Sequence, residues 1–278
     1  MSGSDSLDFL NRITTNDISE NQNTRTLLLD DNGRIVDDFI VINSYEKHKL
    51  LISDSSEVSD LENQINKYII LEDLNIENIS SSYERISAHG KGLIELLSEI
   101  FRLNITESQN INYEDFSFFI FFDKSKTLEW IDIIIQSNDI YKIKNILSNY
   151  ISNISDIEFK NFRLNNLITV LDEIIGIHPL ELSMKKLISF DKGCYIGQEV
   201  VARMDTYNKI QRKLVTITSD YPFEEKKLRT KESNNVGLIL SSLSKSLDNS
   251  KFLGIGLVKN KEINNPVLCG DKLVSISY

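Results

Sequence analysis

Lys192-Gly193-Cys194-Tyr195-Ile196-Gly197-Gln198-Glu199 is the most informative stretch of this 278-residue chain. It sets one of only two cysteines between two glycines, beside a lysine and just ahead of a helical run from Gly197 to Met204. Glycine on both sides lets the backbone turn tightly and come close to a ligand. A helix N-terminus and an ammonium nearby favour a thiolate, which makes Cys194 the candidate reactive group. The bland alternative is a small apolar side chain buried in a tight turn.

Working outward, the chain divides into two parts of different character. Leu7, Leu10 and Ile13, with Phe9 beside them, predict a short amphipathic helix capped by Ser4 or Asp5. Thr24 to Leu29 and Arg34 to Ile42 read as strands joined at the turn signal Asp30-Asp31-Asn32-Gly33. Lys49 to Ile52 adds a strand, and Val58, Leu61, Ile65 and Ile69 recur at helical spacing. Further strands are predicted over Asn75–Ile79, Tyr83–Ala88, Phe116–Phe122 and Leu128–Ile135, with helices through Leu93–Ile100 and Ile140–Tyr150. Helices and strands interleave without regular alternation, so the class is α+β. Beyond Met204, the short segments Lys213–Thr218, Val236–Leu240, Phe252–Val258 and Lys272–Ser277 predict a small β-barrel. The domains expected are 1–207 and 208–278. The charged segment Lys226–Asn235 and the serine-rich segment Ser241–Lys251 read as mobile loops.

Composition excludes several functions. A hydrophobic share of 41% and a charged share of 26% are those of a globular protein. No apolar run approaches the roughly 20 residues that span a bilayer. The first residues resemble no signal peptide, and two cysteines suit a reducing cytoplasm, the location expected here. The three histidines are scattered, which argues against a self-contained metal site. A net charge of −10 argues against direct nucleic-acid binding. Between Lys192 and Lys213, however, five basic residues face two acidic ones, 5 − 2 = +3, a local field that favours an anion.

The longer stretch Ile188-Ser-Phe-Asp-Lys-Gly-Cys-Tyr-Ile-Gly-Gln-Glu-Val-Val-Ala-Arg203 resembles the signature of the YgfZ family. These are folate-binding relatives of the T-protein, the aminomethyltransferase of the glycine cleavage system. Ser4 to Asp17, ending Thr-Asn-Asp, resembles the family's opening helix, Gly33 to Val41 its next strand, and Val236 to Val258 its C-terminal barrel. The resemblance implies a T-protein-like folate-binding domain followed by the barrel. It also implies a strand ahead of the opening glycine, so the natural start is expected upstream of Met1.

Two adjacent strand residues, Asp37 and Asp38, must face opposite sides of their sheet. The resemblance places one of them by the folate, with Asp38 favoured, while residue type alone allows a pair of surface carboxylates. T-proteins anchor the pterin with a glutamate in Arg-x-Glu-x-Gly. The matching stretch here is Arg163-Leu-Asn165-Asn-Leu167, in which an amide replaces the carboxylate. Glu181 matches a common family glutamate. Within the signature, Lys192, Gly193, Tyr195, Gly197, Gln198, Glu199 and Arg203 are further cofactor-binding candidates. The two glycines are expected to form the turn, and Glu199 to pair with Arg203 at i,i+4.

The resemblance implies a tetrahydrofolate-dependent accessory protein of iron–sulfur cluster assembly or repair, with iron–sulfur or cluster-assembly proteins as partners. A lone Cys194 cannot hold a cluster that takes four ligands, so that role would be shared with a partner. Effects on tRNA modification would be indirect, through cluster-dependent enzymes. The alternatives are an aminomethyltransferase moving a one-carbon unit to tetrahydrofolate, and a non-catalytic interaction module with a vestigial pocket.

Overall fold

The structure, a computed structural model, describes residues 1–45, 48–55, 58–243 and 251–278. The chain divides into two compact units, each assembled from separated segments. The first comprises Met1–Leu28, Asp37–Ser152 and Lys186–Ile196, and the second Leu29–Val36, Asn153–Lys185 and Gly197–Tyr278.

In the first unit, α1 (Ser6–Ile13) precedes the sheet β1-β2-β3 (Thr24–Leu29, Ile35–Tyr45, His48–Ser53), whose 29–36 hairpin belongs to the second unit. Neither Ser4 nor Asp5 caps α1 with its side chain, because Ser4 Oγ donates instead to Asp73 and to Asp5. After α2 (Val58–Asn66) comes a four-stranded antiparallel sheet of order β4-β7-β6-β5. Its strands are β4 (Tyr83–His89), β5 (Gln109–Tyr113), β6 (Phe116–Phe122) and β7 (Trp130–Gln136), with α3 (Leu93–Phe101) and α4 (Ile140–Leu147) between and after them. The β6 sequence Phe-Ser-Phe-Phe-Ile-Phe-Phe explains its burial on both faces. Phe118, Ile120 and Phe122 pack with α3 and α4, while Phe119 and Phe121 pack against Ile40 and Ile42 of β2. Asn75–Ile79 forms no strand; Asn75 makes a single bridge to Ser2. The polar strand β5 was not foreseen, because only Ile111 offers it a fully buried apolar side chain.

The second unit holds α5 (Asp156–Asn165), α6 (Leu171–Ile174), α7 (Gln198–Thr206) and a closed antiparallel barrel. The barrel order is β10-β11-β8-β13-β12-β9, from β8 (Arg212–Ser219), β9 (Lys227–Arg229), β10 (Asn235–Leu243), β11 (Phe252–Lys259), β12 (Val267–Cys269) and β13 (Lys272–Ser277). Val215, Ile217, Leu228, Val236, Val258 and Val267 fill it. A Cβ at Gly256 would lie 2.4 Å from the Leu238 carbonyl, so only glycine lets β10 and β11 meet there. The segment predicted as a loop, Lys226–Asn235, contributes β9 and a tight turn. Of Ser241–Lys251, the first three residues complete β10, and 244–250 lie outside the described residues. No helix among the described residues is long and apolar enough to cross a membrane.

Candidate functional site

The candidate residues divide between the two units, with Asp37, Asp38 and the segment Lys192–Tyr195 in the first. Both aspartates are buried, so the surface-pair alternative fails. Asp38 takes two parallel hydrogen bonds from Arg25, Nε to Oδ1 and Nη2 to Oδ2, each 2.8 Å. Arg25 Nη1 donates to buried Asp123, which also anchors the β6–β7 turn by accepting from Ser125. Burial penalises the Arg25 charge, but Asp38 and Asp123 outweigh that and hold the guanidinium well above its ordinary value. Both side-chain oxygens of Asp38 are thereby engaged by Arg25.

Asp37 is different. Its Oδ1 accepts from Ser53 Oγ at 2.8 Å and from the Asp38 amide at 2.7 Å, while Oδ2 has no partner among the described residues. Burial pushes its carboxyl up to about 6. Ser53 also lines a cavity of about 510 Å³, whose wall is largely apolar through Ile52, Leu61, Ile65, Tyr83 and Ile134. One hydrogen bond therefore connects the cavity wall to a carboxyl titrating near neutrality. A proton can pass between this group and the cavity through Ser53 Oγ.

In the signature, Lys192 turns inward. Its Nζ donates to Asn11 Oδ1 (3.2 Å), the Thr14 carbonyl (2.9 Å) and the Asn16 carbonyl (2.6 Å), and lies 5.5 Å from the centre of the Tyr195 ring. Burial without a carboxylate partner lowers this ammonium to about 8. The lysine thus staples the signature to the Thr14-Thr15-Asn16 segment, and Asn16 in turn donates from Nδ2 to the Arg25 carbonyl. Tyr195 is buried; its hydroxyl has no partner among the described residues, and burial raises it to about 12. Cys194 is exposed in a hollow of about 440 Å³ lined by Asp8, Asn11, Asp17, Asp191 and Lys192. The buried-apolar alternative for this cysteine is therefore wrong. Gly193 does not serve the turn as expected, for its φ is unexceptional and a Cβ there would meet nothing within 4 Å.

In the second unit, Gly197 does require glycine. It caps α7 with φ +79°, and a Cβ would stand 2.7 Å from the Asp30 carbonyl and 3.0 Å from Gly33 Cα. Gln198 gives α7 no side-chain cap. The expected Glu199–Arg203 ion pair is not formed: both side chains are exposed, where such a pair stabilises little. Arg163 is buried and donates to both Glu173 oxygens (2.8 and 2.6 Å) and to Ser241 Oγ (3.2 Å). Asn165 is exposed and bonds the Asn161 carbonyl of its own helix. Leu167 adopts φ +54°, a left-handed conformation that suits the glycine of the T-protein pattern. Glu181 is buried and paired in parallel with Arg212 at 2.8 and 2.5 Å. Two of the five basic residues of this stretch are thus spent internally, Arg212 on Glu181 and Lys192 on Asn11, Thr14 and Asn16.

Arg25, Ser53 and Asp123 are the site residues that sequence reasoning missed. The only signal was an arginine between two threonines in a strand that is otherwise apolar.

Comparison with known proteins bears on the fold. Residues 1–128 match the family model of the GCVT N-terminal domain. Two similar proteins are aminomethyltransferases, from Exiguobacterium sibiricum (32% identical over 124 residues, 44% of this chain and 32% of that one) and Staphylococcus carnosus (24% over 115 residues, 40% and 32%). The matched stretches thus span about a third of those relatives. The glycine cleavage system aminomethyltransferase T from Bartonella henselae superposes with a TM-score of 0.80 at 14% identity, over 100% of this chain and 81% of that one. The chain therefore has a T-protein-like fold, α+β with a terminal barrel, and a GCVT-like first part.

Proposed function

We propose that this T-protein-like chain is a tetrahydrofolate-binding accessory protein that supports iron–sulfur cluster assembly or repair. The observation that carries the reading is the exposed Cys194, stapled through Lys192 to the same unit in which a hydrogen bond from Ser53, on the wall of a ligand-sized cavity, reaches buried Asp37. The residues present fit tetrahydrofolate. A cavity of about 510 Å³ lies within the ordinary range for small-molecule sites, its apolar wall suits the ring system, and Ser53, hydrogen-bonded to Asp37, puts a polar group on that wall. When bound, the folate would supply a one-carbon carrier and a basic nitrogen. Asp37 would hold or release a proton behind Ser53, and Arg25 would hold Asp38 in place beside it.

Cys194 alone cannot hold a cluster, so it would meet iron–sulfur or cluster-assembly proteins as one contact among several. With a net charge of −10, any influence on tRNA modification would be indirect. A second reading, aminomethyltransferase, is favoured by the titrating Asp37 and by the names of the relatives; transfer of a one-carbon unit from an aminomethyl carrier would distinguish it.

Cys194→Ser tests the first reading. Because the thiol is exposed, stability should change by less than about 0.5 kcal/mol. Tetrahydrofolate affinity should stay as it was, while support of cluster enzymes in cells lacking the natural protein is lost. Full support by the variant would remove Cys194 from the function.

A further inference from the structure

Two large aliphatic side chains stand side by side in water where the chain leaves α2. Ile70 is 82% exposed and Leu71 94%, the highest values among the exposed large apolar residues. Their backbone is fixed, so the side chains are held out rather than left loose. Glu72 Oε2 accepts the amides of Ile70 (2.7 Å) and Leu71 (3.0 Å). Before them the Tyr68 amide closes on the Ile65 carbonyl, and after them the Asp73 amide donates to Asp5 Oδ2 at 2.8 Å. Single exposed aliphatics are ordinary; an adjacent pair on a fixed turn has the form of an anchor for a partner's pocket.

The same glutamate ties this tip to the Cys194 hollow. Glu72 Oε1 accepts from Arg12 Nη2 at 2.7 Å, and Arg12 Nε donates to Asp8 Oδ2 at 3.2 Å. Arg12 and Asp8 both line the hollow, so one carboxylate separates the Leu71 amide from the wall around the exposed thiol. The hollow is acidic. With Glu72, the carboxylates of Asp8, Asp17 and Asp191 set four negative charges against the two positive ones of Arg12 and Lys192. Both cations are already engaged, Arg12 by Asp8 and Glu72, and Lys192 by Asn11, Thr14 and Asn16. Asp17 acts on Lys192 through space only, and neither Asp17 nor Asp191 forms an ion pair among the described residues.

We propose that the Ile70–Leu71 tip and the Cys194 hollow are two halves of one docking surface, for a protein partner that offers an apolar pocket to the tip and a basic segment to the hollow. The proposal rests on the reading of Cys194 as a partner-facing thiol and states the chemistry of that partner. An apolar tip alone would suit a second copy of this chain or a lipid surface equally well. The acidic hollow beside it decides against both, because a second copy brings the same carboxylates and anionic headgroups are repelled by them.

Photo-crosslinking tests it. The photoreactive amino acid p-benzoylphenylalanine is placed at Leu71 in one full-length version and at Gly193 in another, where a Cβ meets nothing within 4 Å. Living cells are irradiated and the adducts identified by mass spectrometry. The expected result is the same protein at both positions, with yields that fall at least about tenfold in Asp17→Lys combined with Asp191→Lys. Ile70→Ser combined with Leu71→Ser should lower the Gly193 yield as much, and thermal unfolding checks that each variant is folded. No adduct, different proteins at the two positions, or yields indifferent to these changes would overturn the shared surface. A crosslink to a second copy or to lipid at Leu71 would overturn the choice of partner. If Cys194→Ser leaves both the adducts and the support of cluster enzymes unchanged, the reading of Cys194 fails and the surface stands. Loss of that support in Cys194→Ser without any adduct at Leu71 keeps the reading and removes the surface.

Discussion

Arg25→Met is expected to destabilise the protein by about 3 to 5 kcal/mol at pH 7, measured by urea unfolding. Arg25 neutralises two buried carboxylates at once, Asp38 through both of its oxygens and Asp123 through one. Both acids lie in the first unit with almost no exposed surface, so water cannot replace the guanidinium. Removing it leaves both carboxylates buried without their partner, and it takes away the charge that, against burial, holds the Asp123 carboxyl below its ordinary range, so in the variant Asp123 takes up a proton more readily. The loss should therefore shrink as the pH is lowered from 7 toward 4.5. Arg25→Met combined with Asp38→Asn should recover part of the stability, because one of the stranded charges is gone. A loss under about 1 kcal/mol, or one independent of pH, would mean that the cluster is solvated and that Asp38 is not held as described.

The second large effect concerns Asp37, and its sign is opposite. Burial raises its carboxyl from an ordinary 3.8 to about 6, so the folded state binds this proton more tightly than the unfolded chain does. Stability from the protonated form is complete below about pH 4 and is lost as the pH rises through 6. Asp37→Asn keeps an oxygen for Ser53 Oγ and the Asp38 amide but never ionises. The variant should match the natural protein near pH 4 and exceed it by about 2 to 3 kcal/mol at pH 7. Thermal unfolding at both pH values measures the difference, and a gap that stays flat across this range would contradict the assigned burial. Because its charge costs stability, Asp37 is the carboxyl to which the proposed reading assigns chemistry.

What was legible beforehand follows from physical scale. The run Phe116–Phe122 announces a strand buried on both faces, and the two faces indeed pack against different partners. The Asp30–Gly33 turn is local, and it closes through Asp30 Oδ1 and the Asn32 and Arg34 amides. Helix α5 was readable but overlooked, since Ser155 and Glu158 form a capping box that stands plainly in the sequence. Strands β9 and β12, at three residues each, carry too little pattern to be seen and exist because the barrel closes around them. The Arg25–Asp123 pair joins positions 98 apart, and no local spacing announces it. Lys192 is the clearest example of a residue whose type was informative while its direction was not. Beside Cys194 it invited a reading as an activating charge, yet it spends its hydrogen bonds on two backbone carbonyls and an asparagine.

The measurement that tests the central claim most directly is calorimetric titration of the full chain with tetrahydrofolate. The account predicts saturable binding in the micromolar range, with Asp37→Ala weakening it and Cys194→Ser leaving it unchanged. No heat of binding up to about a millimolar, the limit below which a specific cofactor site is expected to saturate, would contradict it.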